Sequence, residues 1–190
     1  MKTICALGAL AAVALAVPAL ADTLKARAVA KVIGLDGLPL GEVDFTQTSR
    51  GVLIELDLHG LPPGAHAVHI HGAGVCEPKK HFSSAGAHLS FEPRAHGYFA
   101  RGGPHEGDLP NQFAARDGTL HASVITNAFT LGNGQKSVFE RNGASIVLHA
   151  KADDYMSQPA GASAERIACG VIVRTVAPGT RRTPSHRTHT

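Results

Sequence analysis

The chain has 190 residues, of which 44% are hydrophobic, so it is long enough to bury the core of one domain. Its formal net charge is only +3, from 18 basic and 15 acidic residues. This mild balance argues against a nucleic-acid partner, because such proteins carry a strong basic excess.

The N-terminus has the pattern of a secretory signal peptide. Lys2 supplies a positive charge, residues 4–17 are almost all apolar, and Ala19-Leu20-Ala21 fits an A-x-A cleavage site. A short membrane anchor is the alternative, but the apolar run is too short to span a bilayer comfortably and no stop-transfer pattern follows. We therefore predict a signal peptide over residues 1–21, export to the periplasm, and no membrane span after cleavage.

Export would also change the cysteine count. Cys5 lies within the signal, which leaves Cys76 and Cys169 in an oxidising compartment, where an even number favours a disulfide. The bridge would close a loop of about 90 residues, for which the chain-entropy model gives about 4–5 kcal/mol. Two unpaired thiols are the alternative.

Short β-strand patterns dominate the rest of the chain, separated by glycine- and proline-rich turns. No stretch has a helical stripe, and residues 160–167 allow one helical turn at most. Strands at roughly ten-residue spacing predict an all-β antiparallel sandwich or flattened barrel. The predicted strands cover residues 24–33, 40–47, 52–58, 66–71, 119–126, 144–149 and 170–176.

Two long segments interrupt this pattern. Residues 72–112 are rich in Gly, Pro and His and contain ligand-type side chains, so we predict a functional loop. Residues 151–168 form a second predicted loop. The domain is expected to cover residues 22–176, followed by a basic disordered tail over residues 177–190.

The sequence HAVHIH, at residues 66–71, contains the clearest chemical signal. His69 and His71 are two apart in a strand, so their imidazoles project from one face. With His149, at the end of the apolar run SIVLH, and one more imidazole, they would form an all-nitrogen site suited to copper.

A second set lies in the predicted functional loop. His88, His96, His105 and Asp108 would complete a tetrahedral shell suited to zinc, with no position left open for a water. His88 could serve both sets only as an imidazolate bound through both nitrogens. The alternative is a group of solvated loop histidines.

These residues stand in segments that resemble the copper/zinc superoxide dismutase family, in particular its exported bacterial members. The resemblance covers about residues 23–176 and implies a Greek-key β-sandwich or flattened barrel. The matching segments are HAVHIHGAGVC (66–76), SAGAHLS (84–90), GDLPN (107–111), VLHAKADDY (147–155) and ERIACGVI (165–172).

The resemblance also implies a role for each site residue. Copper would be held by His69, His71, His88 and His149, and zinc by His88, His96, His105 and Asp108. Cys76 and Cys169 match the family's disulfide. Arg166 matches the arginine that guides the anion, and Asp153 the carboxylate that links a copper-ligand histidine to a zinc-ligand histidine.

The implied reaction is the dismutation of superoxide to dioxygen and hydrogen peroxide, with His88 passing a proton. Two departures from the family pattern are Leu89-Ser90-Phe91 after His88, where Asn-Pro is usual, and Glu165 beside Arg166, which would weaken the guiding charge. The alternative function is an exported copper- and zinc-binding or buffering protein with weak or no dismutase activity. Superoxide is the expected substrate, and the chain is expected to be a monomer or homodimer.

Overall fold

A computed structural model describes residues 26–175, so the predicted signal peptide and C-terminal tail lie outside the described residues. Within that range no helix is long and apolar enough to cross a membrane. Two short 3-10 turns, Pro78–Lys80 and Ser83–Ala85, lie in the loop that follows the fifth strand. The strands of this range are β1 (Arg27–Gly34), β2 (Pro39–Thr48), β3 (Gly51–Leu58), β4 (Gly64–His66), β5 (Val68–His71), β6 (Gln112–Ala114), β7 (Leu120–Thr126), β8 (Ser145–His149) and β9 (Arg166–Thr175).

Seven strands form one curled antiparallel sheet in the order β5-β8-β9-β1-β2-β3-β7, and β4 pairs with β6 beside it. The chain crosses from β3, near one edge, to β5 at the other edge, which gives the sheet its Greek-key connection. The prediction of an all-β antiparallel sandwich or barrel is therefore confirmed.

Alternating side chains build the core. Every second residue of β1 and β3 is buried, and the inward positions carry residues such as Val32, Ile54 and Leu58, all with no exposure. Phe45 of β2 is the largest side chain in this group. Burial of such side chains contributes about 1.5–3 kcal/mol each relative to exposure, so this alternation explains why these segments become strands.

The two strands that carry the strand-borne histidines differ from the others because they are buried at every position. β5 and β8 pair with each other, and their inward residues, including Val68, Ile70 and Ile146, join the core. Their outward residues are also buried, because residues of the two long loops contact them, for example Phe82 at Val147 and Asp153 at His69. The outward histidines therefore lie between a sheet and a covering layer of loops.

The predicted strand positions are confirmed to within a few residues, with one larger correction. The last strand begins at Arg166 and not at residue 170, so the second loop is shorter than predicted. Arg166 pairs with His149, and Ala168 pairs with both Leu148 and Gly34. The β8–β9 ladder therefore continues to Arg166, with a shift of register between Leu148 and His149. The short strand β6 lies at the end of the predicted functional loop.

The predicted disulfide joins Cys76 to Cys169. It connects the start of the long loop to β9 across 93 positions of sequence. Phe82 and Ala85 of the loop pack with Val147 and Cys169 in a small buried cluster beneath it. The loop is therefore tied to the sheet by one covalent bond and one apolar contact area.

Candidate metal centre

Four imidazoles converge above the outer face of β5 and β8. His69 and His71 stand on β5, His149 ends β8, and His88 lies opposite His71 across an isolated bridge. One ligand atom from each of these four buried residues lies within 4.8 Å of the others. The structure therefore brings together the four residues that the sequence predicts as copper ligands.

The nitrogens of these rings divide into two classes. Nδ1 of His69 and Nε2 of His71, His88 and His149 are buried and have no hydrogen-bond partner. A buried polar atom without a partner is costly, and a metal ion is one way to satisfy four of them at once. Four imidazole nitrogens suit copper, including Cu(II) in tetragonal geometry.

The second nitrogen of each strand-borne ring is held by a protein group. Nε2 of His69 is 2.8 Å from Oδ2 of Asp153, and Nδ1 of His71 is 2.9 Å from the Gly86 carbonyl oxygen. Nδ1 of His149 contacts Ser163 and the Ala164 carbonyl. These contacts fix the tautomer and orientation of each ring, so that its free nitrogen faces the cluster.

His66 shows by contrast what a structural histidine looks like here. It is buried, but both of its nitrogens have partners, the His149 carbonyl oxygen at 2.8 Å and the Pro62 carbonyl oxygen at 2.7 Å. It has no nitrogen left for a metal. His59, His81 and His121 are exposed, as expected from the sequence.

The second predicted set surrounds one carboxylate oxygen. Oδ1 of Asp108 is 2.8 Å from Nδ1 of His88, 3.1 Å from Nδ1 of His96 and 3.4 Å from Nδ1 of His105. Nδ1 of His96 lies close to this oxygen but forms no hydrogen bond, so it is also available to bind a metal. Three nitrogens and one carboxylate are a donor set that suits zinc.

The group of donors within 4.8 Å of one another at this second position is His69, His88, His96 and Asp108. His105 lies slightly farther out, with 15% of its side chain exposed. His69 falls within range because its ring centroid lies 4.0 Å from that of His88, although its Nε2 already faces Asp153. His69 thus borders both sets, and His105 closes the second one from the solvent side.

Asp108 is held as a charged group. Its Oδ2 accepts hydrogen bonds from the backbone N–H groups of Gly97 and His105, each at 2.9 Å. Burial alone would raise its pKa, but the hydrogen bond from His88 and the one from Gly97 hold the pKa well below its ordinary value. The carboxylate is therefore available as an anionic ligand.

Burial keeps the imidazoles uncharged, whereas Asp108 stays charged. Burial lowers the pKa of His88 to about 4 and that of His149 to about 3, and it lowers the pKa of His71 well below 6.5. Neighbouring imidazoles lower these values further. The rings are therefore neutral near pH 7, which is the form that binds metal.

Asp153 joins the two sets. Its Oδ2 accepts from His69, its Oδ1 is 3.0 Å from Nε2 of His96, and the Tyr155 N–H donates to Oδ1 at 2.6 Å. Burial alone would raise its pKa, but the hydrogen bonds from the two histidines lower it. Gly161 makes room for this carboxylate, since a Cβ there would lie 1.7 Å from Oδ1 of Asp153.

Two amide side chains that sequence reasoning missed hold the loops around this carboxylate. Asn111 accepts from the Asp153 N–H at 2.8 Å and donates to its carbonyl oxygen at 2.9 Å. Gln158 binds His96 in the same reciprocal way, with both contacts at 2.9 Å. No spacing signal marks either residue, although Asn111 falls in the GDLPN segment.

Arg166 lies beside the four-imidazole cluster. Its guanidinium donates to the carbonyl oxygens of Phe82 and Gly86, each at 2.7 Å, and Gly86 is also the partner of His71. Half-burial lowers the pKa of Arg166, which leaves it charged near pH 7. Among the ion pairs of residues 26–175, none joins Arg166 to Glu165.

A family model described as copper/zinc superoxide dismutase (SODC) matches residues 40–172. The chain belongs to the copper/zinc superoxide dismutase family. Family membership makes it an oxidoreductase whose metals are copper and zinc. The donor sets described above fit both metals, because one offers nitrogens alone and the other adds a carboxylate.

Individual relatives agree with this family. The Cu-Zn superoxide dismutase 2 of Aquifex aeolicus is 41% identical over 148 residues, which cover 77% of this chain and 86% of the relative. The Cu-Zn superoxide dismutase of Caulobacter vibrioides is 42% identical over 140 residues, covering 72% and 80%. A crystal structure of a SOD-like protein from Bacillus subtilis has a TM-score of 0.72 at 27% identity and covers 76% of this chain and 97% of its own.

Proposed function

We propose that this chain dismutates superoxide at a copper centre bridged to zinc through His88. The copper ligands would be His69, His71, His88 and His149, and the zinc ligands His88, His96, His105 and Asp108. The observation that carries the proposal is the set of four buried nitrogens that face one another without a partner, while the opposite nitrogen of each ring is bound. Bound copper would supply the one-electron chemistry that converts superoxide to dioxygen and hydrogen peroxide.

His88 is the residue best placed to move the proton that this reaction needs. Its Nδ1 faces Asp108, and its Nε2 faces the other three imidazoles. The carboxylate keeps the ring in one orientation, so a proton can be held and released at Nε2 without the ring turning. His88 would therefore act as ligand and proton carrier in the same position.

Arg166 would attract and orient the anionic substrate. A guanidinium has five N–H donors, and the contacts with Phe82 and Gly86 involve only two of its nitrogens. These contacts hold the charge in place, and the remaining donors are free for a small anion. Within residues 26–175 Glu165 forms no ion pair with Arg166, so it does not occupy the donors that would bind the anion.

Arg166→Ile tests the enzymatic function against metal storage. We expect dismutation to fall about tenfold or more, because electrostatic steering contributes 10- to 1,000-fold to association. Metal content should stay at the wild-type level. Arg50→Ile, which removes an exposed arginine from the β2–β3 turn, is the matched control and should keep its activity. A fully metal-loaded wild type with negligible activity would favour the metal-binding alternative.

We also propose that the chain is exported, with residues 1–21 removed and a periplasmic domain over residues 22–176. The disulfide within the described residues supports an oxidising compartment, as does the A-x-A pattern. Mass spectrometry of the periplasmic protein should give an N-terminus at Asp22. Recovery of the intact chain in the membrane fraction would instead support an uncleaved anchor.

A further inference from the structure

Among the imidazoles of the proposed copper set, His149 is held in a different way from the others. Its Nδ1 lies 3.1 Å from Oγ of Ser163 and 3.3 Å from the carbonyl oxygen of Ala164. Hydrogen bonds from N–H to oxygen usually measure 2.7–3.2 Å, so the hydroxyl is the better placed of the two partners. His71, by comparison, has a single carbonyl at 2.9 Å.

We propose that Ser163 is a positioning residue for His149, whose hydroxyl fixes the ring orientation of this copper ligand. This inference rests on the proposed function, because it assumes that Nε2 of His149 binds copper. Because the Ala164 carbonyl oxygen can only accept, the ring proton lies on Nδ1 and the lone pair lies on Nε2, which faces the cluster without a partner.

The Ser163 hydroxyl has no hydrogen-bond partner other than His149 among the described residues. The residue is 1% exposed, and within residues 26–175 its Oγ has His149 as its only hydrogen-bond partner. Its backbone is anchored separately, since its carbonyl accepts from the Lys151 N–H at 3.0 Å and its N–H donates to Ala160 at 3.3 Å. The backbone that carries the hydroxyl is therefore held by bonds that do not involve the hydroxyl itself.

The backbone on either side of Ser163 is strained in a way that serves this contact. Ala162 and Ala164 have φ values of +52° and +64°, in the left-handed region that costs an alanine about 1–2 kcal/mol. Such strain persists only where the surrounding structure imposes it, and it concentrates at functional sites. Here the two left-handed residues turn the Ser163 hydroxyl and the Ala164 carbonyl toward the same nitrogen.

Ser163→Ala in the full-length, metal-loaded protein tests the proposal. We expect the copper dissociation constant, measured by competition with a chelator, to rise about 10- to 100-fold, as for other residues that orient metal ligands. The Cu(II) visible and paramagnetic resonance spectra should change, while zinc affinity stays at the wild-type level. Ser163→Thr, which keeps the hydroxyl, should have the wild-type spectra.

Ser137→Ala is the matched control. Ser137 is also buried, and its hydroxyl accepts a hydrogen bond from the Phe139 N–H in the loop between β7 and β8. Wild-type copper affinity and spectra in Ser163→Ala would overturn the proposal, and so would a loss that Ser137→Ala reproduces. A wild type that binds no copper would instead overturn the proposed ligand set, and the inference with it.

Discussion

The two halves of the candidate metal centre are positioned by different kinds of structure. His69, His71 and His149 stand on β5 and β8, where backbone hydrogen bonds between paired strands fix their positions. His96 lies on a loop outside the sheet, where Gln158 and Asp153 of a second loop hold it. Asp108 contacts β5 through an isolated bridge to His69, and backbone N–H groups of its own loop, those of Gly97 and His105, hold its carboxylate. We call these the strand half and the loop half, with His88 shared between them.

This difference separates two physical problems. The strand half needs uncharged imidazoles in a buried position, and burial keeps them neutral. The loop half needs an ordered backbone without a sheet, and two charged carboxylates, Asp108 and Asp153, collect the hydrogen bonds that order it. Acid should therefore affect the strand half first, and metal removal should affect the loop half most.

Acid destabilisation of the metal-free protein has the largest expected effect. An unfolded histidine has a pKa near 6.5, whereas the folded values of His88 and His149 are about 4 and about 3. The unfolded chain therefore binds more protons, so stability is highest above pH 6.5 and is lost as the pH falls toward 4 and then 3. The shift of His88 alone corresponds to roughly 3 kcal/mol, at about 1.4 kcal/mol per pKa unit. Urea unfolding at pH 7, 5 and 4 measures this loss.

Two variants identify the groups responsible. His149→Gln should reduce the pH slope between pH 6.5 and 4 by about one proton. Gln135→Ala, at an exposed glutamine in the loop between β7 and β8, removes no titratable group and should leave the slope unchanged. The lowered pKa values of Asp108 and Asp153 add to the loss only as the pH falls below about 5, so the slope between pH 6.5 and 5 reports the histidines. Stability that stays constant from pH 7 to pH 4 would contradict the neutral, buried state of the strand half.

Metal removal should change the hydrogen-exchange rates of backbone amides in the loop half more than in the strand half. A ligand at 100 times its dissociation constant stabilises what it binds by about 2.7 kcal/mol, which is about 100-fold in opening equilibrium. We expect chelation to speed hydrogen exchange by at least this factor at the Gly97 and His105 amides. The amides of β5 and β8 should change far less, and added zinc should restore the loop. Equal acceleration in both halves would show that the sheet does not order the strand half by itself.

Asp153→Asn should weaken metal binding in one of the two halves, because Asp153 is their common anchor and the amide can serve only one of them. An amide has one acceptor oxygen, so either His69 or His96 would lose its partner. We expect copper or zinc affinity, measured by chelator competition, to fall about 10- to 100-fold.

The neighbouring residue offers a close control for this variant. Asp154 is exposed, and among the described residues its carboxylate accepts only from its own loop, from the backbone N–H groups of Met156 and Ser157 and the Ser157 hydroxyl. Asp154→Asn should change metal affinity little. If both variants lost affinity equally, the effect would come from the net charge of the loop and not from the bridge.

The strand half was easier to predict from the sequence than the loop half, for a physical reason. Period-two alternation places His69 and His71 on one face, and burial makes that pattern visible. The contacts of Asn111, Gln158 and Ser163 join residues 14 to 62 positions apart, mostly through backbone groups. Backbone groups carry no residue identity, so no local pattern encodes such contacts.

The start of β9 illustrates the same limit. Gly170 and the apolar residues after it read as a strand, but the ladder begins at Arg166, because His149 and Leu148 offer backbone partners to the preceding residues. That extension matters for the site. It places Arg166 on a strand, from which its guanidinium reaches the carbonyl oxygens of the long loop.

Gln158→Ala is the smallest change and the sharpest test of whether the halves are separable. Gln158 contacts His96 through its backbone alone and also donates to the Met156 carbonyl oxygen. Nε2 of His96 remains bound to Asp153, and Gln158 is exposed enough for water to replace part of its contacts. A net loss of about 1 kcal/mol would raise the zinc dissociation constant about fivefold. Gln135→Ala, at an exposed glutamine in the loop between β7 and β8, is the matched control and should have no effect.

Copper affinity in Gln158→Ala should stay constant, because β5 and β8 hold the strand half independently of the His96 backbone. An equal loss of copper would mean that the loop half also positions the imidazoles of the sheet, and the centre would then behave as one unit.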